Sequence, residues 1–155
     1  MTNTGSIRNN LDHARAAYRF AIKNLPNPAS LASGLIVVND FEFQTPDHIQ
    51  SMRVELGWAF FCRYESCLEA HFKRHSMKLT KKLSLAQWFE QNNVQVPDSL
   101  QPGLIVYRAI RNKLHHEDGA SMDGSPEREI HLLPEHMEQF YELFLWCGTR
   151  VECAG

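Results

Sequence analysis

Residues 45–76, T-P-D-H-I-Q-S-M-R-V-E-L-G-W-A-F-F-C-R-Y-E-S-C-L-E-A-H-F-K-R-H-S, specify a long helix around which the remaining chain can pack. Thr45 followed by Pro46 is typical of a helix start, because threonine caps a helix and proline fits its first turn. Large apolar residues then recur at intervals of three and four, the spacing of one buried helix face. They are Val54, Trp58, Phe61, Leu68 and Phe72. The stretch therefore predicts a central helix that ends near Ser76.

Similar apolar spacing outside this stretch predicts three more main helices and one short one. The main helices cover residues 7–24 with Ser6 as the cap, a span from about Gln101 into residues 107–119, and a span from Pro134 onward. Ser84-Leu85-Ala86-Gln87 fits a capping box and predicts the short helix. Residues 35–38, with Phe41 and Phe43 after them, predict a brief strand or an extended segment. The fold class expected for residues 1–155 is a single all-α domain, a bundle of four main helices plus one short helix.

Composition limits the class of protein further. A chain of 155 residues with 43% hydrophobic residues can bury one proper core. Its net charge of −2 argues against wholesale non-specific binding of nucleic acid. No apolar run approaches the roughly 20 residues that a membrane span needs, and the N-terminus lacks the apolar core of a signal peptide. A cytoplasmic protein that has no membrane partner is therefore expected.

The four cysteines do not predict a metal site. Cys62, Cys67, Cys147 and Cys153 include no C-x-x-C pair, and the spacing within each neighbouring pair places the two thiols on different helix faces. Reduced thiols that serve as small apolar residues are the expected state. His71 and His75 are four residues apart and could share a metal ion, but no third ligand accompanies them in the sequence. Neither a metal nor another cofactor is predicted.

Residues 107–119, Y-R-A-I-R-N-K-L-H-H-E-D-G, hold the densest set of chemically useful side chains. Arg111 is followed by the polar Asn112, and His116 comes four residues later. This pattern near the end of a late helix resembles the HEPN superfamily, whose helical domains occur in many prokaryotic toxins and RNA-cleaving defence proteins. The resemblance implies a HEPN-like bundle, an RNA substrate, and an antitoxin or defence-system partner. It covers the architecture of most of the chain, but only about six residues at the level of the motif.

The chemistry of the motif suits cleavage of RNA without a metal ion. Arginine presents a charged planar fork to phosphate, and histidine can move protons near neutral pH. The resemblance implies that two protomers bring their Arg/His sets together across a two-fold axis, where the 2′-hydroxyl of the RNA attacks. A homodimer with catalytic Arg111, Asn112 and His116 is therefore predicted.

A second histidine competes for the catalytic role. Residues five apart on an ideal helix differ by about 140° in direction, so Arg111 and His116 share a face only if the last turn unwinds. Arg108, Arg111 and His115 do share a face. Arg108 and His115 are thus the alternate pair, or a supporting one.

Two further groups carry weaker predictions. Glu65, among large apolar residues of the central helix, is interpreted either as a partner that orients Arg111 or as a rim carboxylate that bonds Arg63 or solvent. The segment 71–82 holds five basic residues and no acid, which indicates either an RNA-backbone patch or a solvated helix end. They are Lys73, Arg74, Lys78, Lys81 and Lys82.

Other functional classes fit less well or make different demands. The Glu-x-x-His pairs of di-iron bundles, the hydrolase nucleophile elbow and the phosphate-binding P-loop are all missing from the sequence. In one subgroup of HEPN toxins, a partner enzyme modifies a tyrosine two positions after the histidine. The corresponding residue here is Asp118, so pairing with such a modifying enzyme is not predicted. The remaining alternative is a catalytically inactive HEPN-like module that binds a nucleotide or a protein partner.

Overall fold

Four α-helices dominate the part of the chain that the structure describes, which confirms the all-α class. The computed structural model describes residues 4–75, 94–116 and 132–154, of which residues 4–6, 111–116 and 152–154 are described by their backbone alone. The helices are α1 (Thr4–Lys23), α2 (Pro46–Arg74), α3 (Gln101–His116) and α4 (Pro134–Ala154). Two short 3₁₀ helices cover Pro28–Ser33 and Asp98–Leu100. The predicted short helix at Ser84 lies outside the described residues.

The predicted helix starts are confirmed for α2, α3 and α4 and wrong for α1. Thr45 is extended, at φ −135° and ψ 159°, and Pro46 opens α2. Pro134 likewise occupies the first position of α4. The first helix begins at Thr4, so Ser6 lies inside it and does not cap it. Serine is a reasonable residue in a helical first turn, so its presence alone could not mark the boundary.

A small β-hairpin joins α1 to α2, where the sequence left a strand and an extended segment as alternatives. Strands β1 (Ile36–Val38) and β2 (Phe41–Phe43) pair antiparallel, with Ile36 opposite Phe43. The two-residue turn between them has φ 49° at Asn39 and φ 65° at Asp40. Positive φ at both positions is the geometry that suits the twist of a two-residue hairpin, and Asn and Asp tolerate it better than most residues.

Helix α2 occupies the centre of the fold, as the sequence predicted. The ring of Phe61 lies 6.1 Å from Tyr107 of α3 and 5.1 Å from Phe140 of α4, measured between ring centroids. All three side chains are at most 1% exposed. Complete burial of an aromatic side chain of this size contributes on the order of 2 kcal/mol, so this meeting point is a large part of the core.

Contacts at both ends of α2 establish how its neighbours run. On α1, Tyr18 packs on Phe60 at 5.5 Å between ring centroids, while Ile7 lies near the opposite end of α2, beside Gly148 and His71. Helix α1 is therefore antiparallel to α2. Helix α4 runs in the same direction as α2, because contacts with α2 progress from Gly57 beside Leu132 to His71 beside Gly148.

Several large apolar residues remain exposed on this bundle. Phe20 and Ile105 are 73% and 61% exposed, and Leu35, Val37 and Phe41 on or beside the hairpin also face solvent. None of the helices in the described part of the chain combines the length and the apolar character that a membrane crossing requires.

Candidate functional site

Helix α3 carries the whole Arg-Asn-x-x-x-His motif on one continuous α-helical backbone that extends through His116. The last turn does not unwind before the histidine, which was the condition for Arg111 and His116 to share a face. Positions 111 and 116 therefore differ by about 140° around the helix axis, whereas positions 111 and 115 differ by about 40°. The backbone therefore aligns position 115, rather than position 116, with position 111.

The three motif positions do not share one face of α3. Leu104 and Tyr107 are 3% and 1% exposed, and position 111 follows them by seven and four residues, so it continues the buried stripe. Asn112 follows the exposed Ile105 by seven residues, and His116 follows the exposed Ala109 by seven. Position 111 therefore lies in line with these buried residues, and positions 112 and 116 lie in line with the exposed Ile105 and Ala109 on the outer side of the helix.

The alternate pair lies along one edge of the same helix. Arg108 is exposed, and position 115 follows it by seven residues, close to two full turns. Positions 108 and 115 therefore lie on the same edge of the helix, and the Arg108 side chain on that edge is exposed. Both the predicted pair and the alternate pair remain predictions for catalysis.

Glu65, the predicted partner of Arg111, is half-buried in the middle of α2. It lies one turn after Phe61, whose ring is 6.1 Å from that of Tyr107. Arg111 lies one turn after Tyr107 on α3. Glu65 and position 111 are therefore each one helical turn away from the contact between Phe61 and Tyr107. The role of Glu65 as a partner of Arg111 stays a prediction.

The described part of the basic segment lies at the C-terminal end of α2. Lys73 and Arg74 are exposed, with Lys73 Nζ 3.5 Å from Glu69 Oε1. Arg74 Nε donates to the carbonyl oxygen of Ala70 at 3.4 Å. Positive charge is favourable at a helix C-terminus, and these local contacts favour the helix-end interpretation for both residues. Lys78, Lys81 and Lys82 lie outside the described residues.

The histidine pair on α2 has a structural contact that the sequence did not predict. His71 is 1% exposed, and its Nε2–H donates to the carbonyl oxygen of Gly148 at 3.1 Å. Its ring lies 4.6 Å from that of His75 between centroids. Over the residues that the structure describes, no group of three or more His, Cys, Asp or Glu side chains could hold a metal ion. His71 therefore joins α2 to α4.

The described cysteines are free thiols: Cys67 and Cys147 are buried, and Cys62 is exposed. Loss of solvent raises the pKa of all three thiols, most of all that of Cys147. A raised pKa leaves the unreactive thiol form dominant at neutral pH, since the thiolate is the nucleophile and the metal ligand.

A polar cluster between α1 and α4 escaped the sequence analysis. Glu138 accepts hydrogen bonds from Arg15, with Nε 2.9 Å from Oε1, and Arg19 Nη2 lies 2.8 Å from Oε1. The bonds from Arg15 hold the pKa of Glu138 below its usual value. Tyr141 donates to Asp12, and the Arg15 guanidinium lies 4.2 Å from the centre of the Tyr141 ring. The cluster fastens α1 to α4, and only the spacing of charges on α1 hinted at it.

The sequence did not predict a groove of about 700 Å³ either, because the groove exists only where the hairpin folds back beside two helices. Its walls come from the end of α1, from the hairpin and from the first half of α2. None of the residues that line it lies on α3. The groove is therefore a feature separate from the motif helix.

No protein-family model, curated protein or solved structure matches this chain.

Proposed function

We propose that this protein is a metal-independent endoribonuclease of the HEPN type, a homodimer whose site combines Arg111, Asn112 and His116 from two copies. The observation that carries the proposal is the continuous helix through His116, which sends the arginine and the histidine of one copy in different directions. A site that needs both residues is therefore incomplete within one protomer.

The proposed chemistry is attack by the RNA's own 2′-hydroxyl on the adjacent phosphorus. A histidine takes the 2′-hydroxyl proton, the bond to the 5′-oxygen breaks, and that leaving oxygen receives a proton from a second histidine. The products are a 2′,3′-cyclic phosphate and a 5′-hydroxyl. Arginine stabilises the charge that grows on the phosphate oxygens. Two copies supply the two histidines that the proton transfers require.

The outer face of α3 supports a second copy. Ile105, which is 61% exposed, lies on this face with Ala109 and the positions of Asn112 and His116. A two-fold axis beside this face would double each of these residues at one place, because symmetric contacts repeat the same surface on both partners. An apolar contact at Ile105 would also remove an exposed side chain from water.

The remaining predicted residues enter this proposal as supporting groups. Arg108 and His115 are the alternate pair along one edge of α3, and Glu65 orients an arginine of the site. Lys78, Lys81 and Lys82 hold the RNA backbone, whereas the contacts of Lys73 and Arg74 with Glu69 and Ala70 favour a helix-end role for these two residues. The enzyme acts in the cytoplasm as a toxin or defence protein, with an antitoxin or defence-system partner that limits it.

One observation favours a second candidate, the inactive HEPN-like module that binds a nucleotide or a protein partner. Position 111 continues the buried stripe of Leu104 and Tyr107. An arginine on that stripe could make structural hydrogen bonds instead of contacting RNA. The same variants separate the two candidates, since a structural arginine changes stability and a catalytic one changes the rate.

The test is cleavage of single-stranded RNA by purified protein in the presence of a chelator, with analysis of the product ends. Arg111→Ala and His116→Ala should each lower the rate at least about 100-fold, the usual contribution of such groups. The control variants are His13→Ala and Arg150→Ala, which replace exposed residues on α1 and α4. They should cleave as the unaltered protein does, with a 2′,3′-cyclic phosphate as the product end.

Each other result has a definite meaning. Loss of cleavage in Arg108→Ala and His115→Ala, with full activity in Arg111→Ala and His116→Ala, would transfer catalysis to the alternate pair. Undiminished cleavage in all four variants would remove the motif from the reaction. Protein that is folded and dimeric but cleaves no RNA, with or without the chelator, would overturn the enzyme in favour of the binding module.

A further inference from the structure

The groove beside the hairpin has three walls of different origin. Phe20 and Ala21 belong to the last turn of α1, Phe41 and Phe43 belong to β2, and Met52 belongs to α2. The turn at Asn39 and Asp40 bends β2 back so that the inner face of the hairpin looks toward the two helices. A concave surface results, at a place where one helix ends and the next begins.

The lining of this groove is apolar and carries no charge. All of its lining side chains are hydrophobic except those of Asn24 and Asn39. No Lys, Arg, Asp or Glu is among them. A charged group would lose its hydration on entry and find no opposite charge there, which costs several kcal/mol or more. The groove therefore favours neutral molecules.

The rings at the groove are arranged as a floor and a rim. Phe43 is 3% exposed and forms the floor, and Phe41 stands edge-on to it at 4.8 Å between centroids. Phe41 is 43% exposed and Phe20 is 73% exposed, so the rim keeps two aromatic rings in contact with water. A molecule in the groove would cover both rings and gain about 25 cal/mol for each Å² of apolar surface removed from water.

Two amides supply the polar part of the lining. Asn24 Nδ2 donates to the carbonyl oxygen of Phe20 at 2.8 Å, which orients the amide at the end of α1. Asn39 is the first residue of the hairpin turn. Amide groups of this kind can exchange hydrogen bonds with a hydroxyl, whereas a carboxylate would demand a stronger donor to offset its desolvation.

We propose that this groove is a binding site for a neutral small molecule with an aliphatic or aromatic body and a single hydroxyl-like polar end. The volume of about 700 Å³ lies within the range of roughly 300–1,000 Å³ that small-molecule sites occupy. The ligand body packs on Phe20, Phe41 and Phe43, and its polar end lies by the asparagine amides. This site is independent of the motif on α3.

The test uses N-phenyl-1-naphthylamine, an uncharged fluorophore that brightens in apolar surroundings, and competition by 1-decanol and by decanoate at about pH 8, where the carboxylate is charged. The full chain should bind the fluorophore. The neutral alcohol should displace it at least about tenfold more strongly than the carboxylate of equal chain length, a difference of about 1.4 kcal/mol.

The variant Phe20→Ser with Phe41→Ser should weaken binding of the fluorophore at least about tenfold, because it removes both rim rings. Both side chains are exposed, so a circular-dichroism melt should show a stability change below about 1 kcal/mol. Leu35→Ser is the matched control, since Leu35 is an exposed apolar residue that does not line the groove. It should bind the fluorophore with unchanged affinity.

Three results would overturn the proposal. One is equal loss of fluorophore binding in the control and in the rim variant, which would indicate general adhesion to apolar surface. Another is equal competition by decanoate and decanol, which would show that the groove does not favour neutral ligands over charged ones. The third is a shift of the rim variant from dimer to monomer in sedimentation, which would show that a second copy of this chain covers the groove.

Discussion

Gly57 of α2 packs directly on the main chain of Leu132, which precedes α4. A Cβ atom at position 57 would stand 2.1 Å from the Leu132 carbonyl oxygen, well inside any tolerable contact. Only a residue without a side chain allows this approach. The contact therefore sets how the start of α4 lies against the centre of α2.

Replacement of this glycine should be costly even though alanine is the better helix former. Gly57→Ala should lower the free energy of unfolding by about 3 kcal/mol, because the obstacle is backbone that cannot rotate away. Gly148→Ala is the matched comparison, since its nearest obstacle is the tip of the Ile7 side chain at 2.6 Å. This variant should cost about 1 kcal/mol. Urea titration of both variants and of the unaltered protein measures the two losses. Equal losses for the two variants would contradict the special role of the Leu132 contact.

Two buried tyrosines should make the fold sensitive to alkali. Burial raises the pKa of Tyr18 to about 12 and raises that of Tyr64 still further. A raised pKa means that folding favours the neutral phenol, so this stability is complete below the ordinary tyrosine value and is lost as pH rises toward about 12. Thermal melting of Tyr18→Phe should therefore fall less steeply with pH in this range than melting of the unaltered protein.

At neutral pH the same tyrosine offers a second comparison. The Tyr18 hydroxyl has no hydrogen-bond partner among the described residues, so its removal in Tyr18→Phe should leave stability unchanged or raise it by about 1 kcal/mol. Tyr141→Phe removes the hydrogen bond to Asp12 and should lower stability by about 1 kcal/mol. A larger loss in Tyr18→Phe than in Tyr141→Phe would refute this assignment of partners.

The ion pairs of Glu138 should give the fold an acid-sensitive contact. Hydrogen bonds from Arg15 lower the pKa of Glu138, so its contribution is present above the ordinary glutamate value and is lost as pH falls through the folded-state value. Glu138→Gln should melt at a slightly lower temperature than the unaltered protein at neutral pH. The difference between the two melting temperatures should become smaller in acid. The effect should be below about 1 kcal/mol, because the pair is partly exposed to solvent. Glu142→Gln, an exposed change one turn later, should shift neither quantity.

Ile105 should matter for self-association rather than for the fold. Ile105→Asp should change the stability of the monomer by less than about 0.5 kcal/mol, since the side chain is 61% exposed. If the outer face of α3 is the dimer contact, the variant should sediment as a monomer and lose cleavage of RNA. Val37→Asp, a similar change at a residue that is 56% exposed on the hairpin, should retain both. A dimeric, fully active Ile105→Asp protein would exclude this face.

Local sequence signals were reliable where a helix boundary depends on a few adjacent residues. Thr45-Pro46 and Pro134 mark the starts of α2 and α4 because capping and the fixed φ of proline act over one turn. Ser6 failed as a marker because a serine also fits inside the first turn, and α1 begins at Thr4. Periodicity identified Phe61 and Phe72 as core residues, yet it did not predict that His71 would be buried with them.

The long-range features could not be inferred in this way. His71 meets Gly148 and Gly57 meets Leu132 across more than 70 residues, so neither contact leaves a trace in local spacing. The groove needs the hairpin turn, the end of α1 and the face of α2 in one place. Such features depend on packing between whole elements, which composition and periodicity do not encode.

In the proposed site, too, the sequence determines some features and the structure determines others. The order of residues 107–119 already contains the arginine, the asparagine and both histidines, with the chemistry that suits cleavage of RNA. Their directions depend on the backbone: α3 stays helical through His116, so positions 111 and 116 differ by about 140° around the helix axis. Helical rotation of about 100° per residue is the physical reason that one protomer separates them. The sequence therefore supplies the reactive groups, and the continuous helix determines that positions 111 and 116 point in different directions.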